Sequence, residues 1–206
     1  MTSQRVGGRW FTLFTFAWLA IWAVQLTPLQ LLIPLQPDTP GGEGTWIGGV
    51  ITSGIVLGSA GFIATIVGPL SGALSDRTRS RWGRRRPWAL AGTWIMVVAL
   101  VATAFANGAL AVGLGWAGVS VGFAMASAAF TAMIADQLTE QRGTASAAVG
   151  SAQALGLIVG VGVIAVLGLD VLTGYLVLAG LMAVVGTVTA LLLPDPQPAA
   201  LQTRRR

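Results

Sequence analysis

The chain has 206 residues, of which 54% are hydrophobic and only 9% are charged. A soluble globular domain carries roughly 25% charged residues, so this composition excludes an ordinary water-soluble protein. All twelve cationic side chains are Arg, and the sequence contains no Lys, no His and no Cys. Most nucleophiles, general bases and metal ligands are therefore missing, and we predict an integral membrane protein with no cofactor, no metal and no enzymatic activity.

Six apolar stretches are long enough to cross a bilayer, which takes about 20 residues. We expect them near residues 10–35, 46–72, 88–106, 109–134, 144–168 and 171–193. The predicted fold is all-α, with six transmembrane helices over residues 1–193 and a tail over 194–206 that we expect to be disordered. Within the six stretches there is no Asp, Glu, Arg or Lys.

The Arg residues predict the orientation of the chain in the membrane. If the amino terminus is inside, the inner segments hold every Arg, and the outer loops hold only Asp38, Glu43 and Asp170. The positive-inside rule then predicts that both termini are cytoplasmic. The basic excess is interpreted as a set of topology anchors facing anionic lipid, and no nucleic-acid partner is expected.

Glycines recur at four-residue spacing within the predicted spans. The pairs are Gly54 and Gly58, Gly68 and Gly72, Gly118 and Gly122, and Gly156 and Gly160. This spacing places small residues on one helix face, where neighbouring backbones can approach closely. The pattern predicts tight helix packing, and faces that slide during a conformational cycle are the alternative.

The second inner loop, GPLSGALSDRTRSRWGRRRPW over residues 68–88, is the strongest motif. It resembles the signature between the second and third helices of the major facilitator superfamily, beginning at Gly72 and including Asp76. Gly83 follows Asp76 by seven residues, where the general signature has three. The longer form SDRTRSRWGRRRP resembles the glycoside–pentoside–hexuronide cation symporters and the related sucrose-transporter-like branch. The segment ADQLTEQRGTASA over 135–147 resembles the loop between the fourth and fifth helices of the same proteins.

The resemblance implies the amino-terminal six-helix half of a major facilitator fold, made of two inverted three-helix repeats. It also implies a conformational latch that holds the inward face closed. In that latch Asp76 would pair with Arg77 and Arg84, and Arg142 could join from the neighbouring loop. Gly72 would allow close packing against the opposite half, and Gly83 belongs to the same motif. A plain charge at the helix end is the alternative for Asp76.

Candidate substrate-binding residues are few because the spans carry no charge. Trp18, Trp22 and Gln25 share one face of the first helix, and Gln153 lies in the fifth span. An indole ring can stack on the apolar face of a sugar while an amide binds its hydroxyl groups. The alternative is that these side chains only pack against neighbouring helices. The Trp residues near span ends, Trp10, Trp46, Trp82 and Trp88, are typical of an interfacial belt.

The resulting hypothesis is transport of a small solute, a sugar or glycoside, by alternating access in a bacterial cytoplasmic membrane. The family normally has twelve helices, so the chain would be a half-length or truncated transporter that needs a second half, either itself or another chain. Acidic residues that serve ion coupling in the resembled symporters are missing from the second and fourth spans, which puts coupling through this half in doubt. A non-transporting membrane partner or regulator is the alternative function.

Overall fold

A computed structural model describes residues 7–36, 46–138 and 141–194. It contains six helices that are long and apolar enough to cross a membrane, and the described residues form no strand. They are α1 (Gly8–Leu35), α2 (Trp46–Arg77), α3 (Arg86–Ala104), α4 (Ala109–Gln137), α5 (Arg142–Val166) and α6 (Val171–Leu192). The all-α membrane fold class is confirmed. Of the tail over 194–206, for which we predict disorder, all residues after Pro194 lie outside the described residues.

The six helices are arranged as an arc. Extensive packing joins α2 to α4, α4 to α3, α3 to α6, α6 to α1 and α1 to α5. Exchanging α1 with α4, α2 with α5 and α3 with α6 gives the same set of helix contacts. Because three is an odd number of crossings, the two triplets enter the membrane from opposite sides. This is the arrangement expected of two inverted three-helix repeats.

Glycines bring the helices of the arc close together at two places. A Cβ atom on Gly122 of α4 would lie 2.6 Å from the Met96 backbone nitrogen of α3. A Cβ atom on Gly156 of α5 would lie 2.7 Å from the Leu19 carbonyl oxygen of α1. At Gly160 the neighbour is the side chain of Thr27. At these positions only glycine lets the two backbones approach so closely.

The helices α2 and α4 run further than their apolar stretches. The sequence predicts ends near 72 and 134, whereas the helices continue to Arg77 and Gln137. Asp76 and Asp136 therefore lie within the last turn of a helix. The extension is possible because the Arg side chains that follow α2 can pair with carboxylates at this level, so the charges are not left without partners.

At the end of the bundle opposite Asp76 and Asp136, one amide side chain bonds to groups from two other helices. Gln36, directly after α1, donates from Nε2 to the carbonyl oxygens of Thr103 and Ala106, each at 3.1 Å. The Tyr175 hydroxyl of α6 donates to Gln36 Oε1 at 3.5 Å. Gln36 therefore connects the end of α1 to backbone carbonyls at the end of α3.

Candidate functional site

Every Arg that the structure describes lies at the same end of the bundle, here called the arginine-rich end. Its centre is Arg85, which precedes α3 and whose side chain is only 6% exposed. Arg85 Nη2 lies 2.6 Å from Asp76 Oδ1 of α2, and Arg85 Nε lies 2.9 Å from Asp136 Oδ2 of α4. Arg85 Nη1 also donates to the Ser75 hydroxyl. One buried guanidinium therefore joins α2 to α4 through charge-assisted hydrogen bonds.

Asp136 receives a second arginine. Arg84 Nη2 lies 2.9 Å from the same Oδ2 atom, and the Asp136 side chain is 25% exposed. Asp76, in contrast, is 57% exposed and pairs with Arg85 alone among the described residues. We call these four residues, Asp76, Arg84, Arg85 and Asp136, the arginine cluster. Of the two carboxylates in the cluster, Asp76 on α2 is the more exposed.

Gly83 provides the turn that presents the cluster. Its φ is +102°, a value that side chains with a Cβ rarely adopt, and the residue is buried. The Gly83 amide donates to the Ser80 carbonyl oxygen at 3.3 Å. After this turn the chain delivers Arg84 and Arg85 back to the carboxylates, so the motif requires glycine at this position.

The next arginine reaches a different helix. Arg86 donates from Nε to the Ala190 carbonyl at 3.0 Å and from Nη2 to the Leu193 carbonyl at 3.1 Å. These are unpaired carbonyls at the end of α6, which favour a cation. Gln137 donates to the Pro194 carbonyl at 2.6 Å and accepts from Trp10 Nε1 at 2.8 Å. The arginine-rich end thereby connects α1, α3, α4 and α6.

The structure corrects the ion partners expected for Asp76. Arg77 follows Asp76 directly on the same helix, and adjacent helical residues do not face each other. Arg84 pairs with Asp136 instead. Arg142 donates to the Leu138 and Ala135 carbonyls at the end of α4, at 2.7 and 3.1 Å. A Cβ atom on Gly72 would meet no atom within 4 Å, so its close packing within this chain is not observed.

Three of the predicted substrate residues form a group on α1. The Trp18 and Trp22 ring centroids are 6.2 Å apart, and Trp22 lies 5.5 Å from the Phe123 ring of α4. The buried polar atoms Trp18 Nε1, Trp22 Nε1 and Gln25 Oε1 have no hydrogen-bond partner among the described residues. We call the surface formed by Trp18, Trp22 and Gln25 of α1 and Phe123 of α4 the α1–α4 face. Buried polar groups are normally paired, so this face has unused hydrogen-bonding capacity.

Gln153 is exposed on α5 and forms no hydrogen bond with the α1 residues. Sequence reasoning missed Phe123 and also Trp116 of α4, whose buried indole nitrogen likewise has no hydrogen-bond partner in the part of the chain that the structure describes. Both are aromatic residues within apolar stretches, which carry no periodic signal of their own. The predicted belt residue Trp10 is instead buried, stacked on Phe14 with centroids 4.7 Å apart.

Comparison with known proteins gives two results. The sequence profile of the Major Facilitator Superfamily matches residues 49–206. A 24-residue segment is 75% identical to part of an uncharacterized symporter of Synechocystis sp.. That second match covers 12% of the present chain and 4% of its relative.

The family match extends over most of the chain and agrees with the fold. Six helices in two inverted triplets correspond to one half of the fold of this family. Its members are membrane transporters rather than enzymes, so the expectation of a non-enzymatic membrane protein is confirmed. The chain therefore belongs to the major facilitator superfamily.

Proposed function

We propose that this chain transports a small neutral solute, a sugar or glycoside, by alternating access together with a second six-helix half. The resemblance of residues 72–88 to the glycoside–pentoside–hexuronide symporters and the sucrose-transporter-like branch supports the substrate class. The observation that carries the proposal is the α1–α4 face, where buried polar atoms lack partners beside aromatic rings. The proposed location is a bacterial cytoplasmic membrane with both termini inside.

The chemistry of the α1–α4 face suits an uncharged, hydroxyl-bearing ring. Trp18 and Trp22 offer indole N–H donors, and Gln25 offers an amide oxygen as an acceptor. The face carries no charged side chain, since neither residues 10–35 of α1 nor residues 109–134 of α4 include one. Apolar ring faces can stack on the indoles, and hydroxyl groups can use the unpaired atoms. Gln153 is proposed as a weaker candidate because its exposed position on α5 is separate from this group.

The arginine cluster is proposed as the latch of the inward face. Arg85 is a single guanidinium shared by Asp76 and Asp136, so movement of α2 relative to α4 must stretch or break its bonds. Asp76 retains one exposed side, from which it can approach a helix of the opposite half. Gly72 lies one turn earlier with open space around its Cα, which suits close approach of that half.

The arrangement of the helices favours a second half at α2 and α5. These two helices form the ends of the arc, and only 17% and 22% of their spanning windows are buried. The corresponding values for the other four helices are 39–56%. A parallel second half would contact both ends and enclose α1 and α4, which places the substrate face between the halves.

Uptake into proteoliposomes tests the proposed function. The chain, reconstituted in its paired state, should accumulate labelled neutral sugars or glycosides to a saturable level. Trp22→Ala and Gln25→Ala should each reduce uptake at limiting solute by about tenfold, the effect of losing a buried hydrogen-bonding or stacking contact. Trp94→Ala is the matched control, because Trp94 is 49% exposed on α3 and lies away from this face.

Two results would contradict the proposal. Folded, paired protein without any specific flux would favour the alternative, a non-transporting membrane partner or regulator. Equal losses in Trp22→Ala and Trp94→Ala would show that the α1–α4 face has no special role. A selective loss in Gln153→Ala would move the substrate site to α5.

A further inference from the structure

A cavity of about 380 Å³ lies between the beginning of α1 and the end of α6. It opens at the arginine-rich end and is lined mainly by Arg9, Trp10, Leu13, Leu192, Leu193 and Pro194. Its volume is within the range of small-ligand sites, roughly 300–1,000 Å³. It is separate from the arginine cluster and from the α1–α4 face, so neither the latch nor the substrate site accounts for it.

Among the described residues around this cavity, one charged side chain has no partner. Among the described residues that line it, Arg9 and Trp10 alone have side chains that can form hydrogen bonds, and Trp10 Nε1 already donates to Gln137. The Leu193 and Pro194 carbonyl oxygens already accept from Arg86 and Gln137. The Arg9 guanidinium, in contrast, makes no ion pair or hydrogen bond with the described part of the chain. The group in the cavity that still lacks a partner among the described residues is therefore a cation, the Arg9 guanidinium.

The remaining walls are apolar and reach the membrane-facing surface. Leu13 contributes to the lining from α1, and Leu192, which is 50% exposed, contributes from α6. A small soluble anion would satisfy Arg9 but would make no apolar contact with these leucines. An anion that carries hydrocarbon chains would satisfy both, with its charged group at Arg9 and its chains along α1 and α6.

We propose that this cavity binds the phosphate headgroup of an anionic phospholipid, with Arg9 as the residue that contacts the phosphate. The assignment to the inner leaflet depends on the orientation given under the proposed function, whereas the binding itself does not. A bound lipid would fill the space between the first and last helices of this chain at the membrane surface.

Native mass spectrometry of the detergent-purified chain with added phosphatidylglycerol tests this site. One tightly retained lipid is expected. Phosphatidylcholine should be retained at least tenfold less well, because its choline cation offsets the phosphate charge and weakens the attraction to the Arg9 guanidinium. Arg9→Gln should lower phosphatidylglycerol retention by about tenfold. Arg79→Gln is the matched control, since Arg79 is an exposed cation at the same end that does not line the cavity. It should change retention by less than about twofold.

A second variant and a competitor keep the test decisive. Leu192→Trp keeps Arg9 but fills the cavity, and it should also abolish retention. Glycerol phosphate and inorganic phosphate should not displace the lipid. Equal losses in Arg9→Gln and Arg79→Gln would indicate diffuse attraction and overturn the proposal. Displacement by free phosphate would overturn the lipid assignment. Because the readout is lipid retention, a failure of solute uptake would leave this result unaffected.

Discussion

The helices α2 and α5 occupy equivalent places in the two inverted repeats, yet their glycines meet different surroundings. Gly156 and Gly160 of α5 pack against the backbone and Thr27 of α1. On α2, Cβ atoms at Gly54, Gly58, Gly68 or Gly72 would meet nothing within 4 Å. The same four-residue spacing therefore serves packing within the chain on α5. On α2 it leaves a smooth surface, which the proposed second half would use.

Since Cβ atoms at these four glycines would meet no described residue within 4 Å, α2 depends on other contacts to hold its position. Its packing partner is α4, and polar contacts fix its last turn at the arginine-rich end. Arg85 bonds to Ser75 and Asp76, and Trp88 Nε1 donates to the Thr78 hydroxyl at 2.8 Å. We infer that α5 packs on α1 through closely approaching glycines, whereas α2 packs on α4 without such glycine contacts and is additionally fixed at its last turn by polar bonds. The polar bonds at the last turn of α2 can break without disrupting the apolar core.

The largest expected effect comes from enlarging the glycines of α5. Gly156→Leu would force a side chain against the Leu19 carbonyl and Ala23 amide of α1, and overpacking of this kind costs roughly 1–3 kcal/mol or more. Gly58→Leu, on the open face of α2, should change the free energy of unfolding by less than about 0.5 kcal/mol. Thermal unfolding in detergent, followed by circular dichroism, measures both.

The same two variants should behave in the opposite order in an assembly assay. Gly58→Leu should leave the single chain folded but reduce its association with the second half. If Gly58→Leu unfolds as readily as Gly156→Leu, the α2 glycines have a packing role within the chain and the contrast between the helices is lost.

A smaller effect is expected at the arginine cluster. Asp136→Asn weakens the bonds to both Arg84 and Arg85 and should cost about 1–2 kcal/mol, reduced from a fully buried pair by partial solvent exposure. Asp76→Asn weakens one bond of a more exposed carboxylate and should cost less than about 1 kcal/mol. Urea or thermal unfolding ranks the two variants.

For transport the order should be reversed, because Asp76 is the more exposed carboxylate of the proposed latch and the one that can approach the opposite half. Asp76→Asn should increase the labelling of cysteines introduced at the inner side of α2, a measurement simplified by a chain without native cysteines. Unchanged labelling and unchanged uptake in this variant would reduce Asp76 to a plain charge at a helix end.

The sequence predicts much of the fold because hydrophobic length dominates helix formation in a membrane. The six spans follow from their apolar residues alone. The extra turn that carries Asp76 and Asp136 could not be predicted in this way, since a hydropathy pattern ends where charge begins. It requires knowledge of the Arg85 pairing, which a three-dimensional turn at Gly83 creates.

The candidate sites could be predicted only in part. Helical spacing correctly groups Trp18 with Trp22, because residues four apart share a face. It cannot identify Phe123, which reaches Trp22 from another helix. Likewise the motif indicates that Asp76 needs a cation, but the choice of Arg85 over Arg77 depends on where the loop returns. Partners that are distant in the chain are set by packing, on which local patterns carry no information.

Cross-linking between the open ends of the arc tests the central claim most directly. Gly61→Cys on α2 and Ser151→Cys on α5 introduce single thiols on exposed positions near the middle of each helix. A photoreactive maleimide attached to each thiol in native membranes should join it to a second half, giving twice 21.2 kDa for self-pairing or another defined mass for a different chain. Val98→Cys, exposed on α3, is the control and should remain unlinked. A chain that stays at 21.2 kDa from both positions, or links no more than the control, would contradict the account.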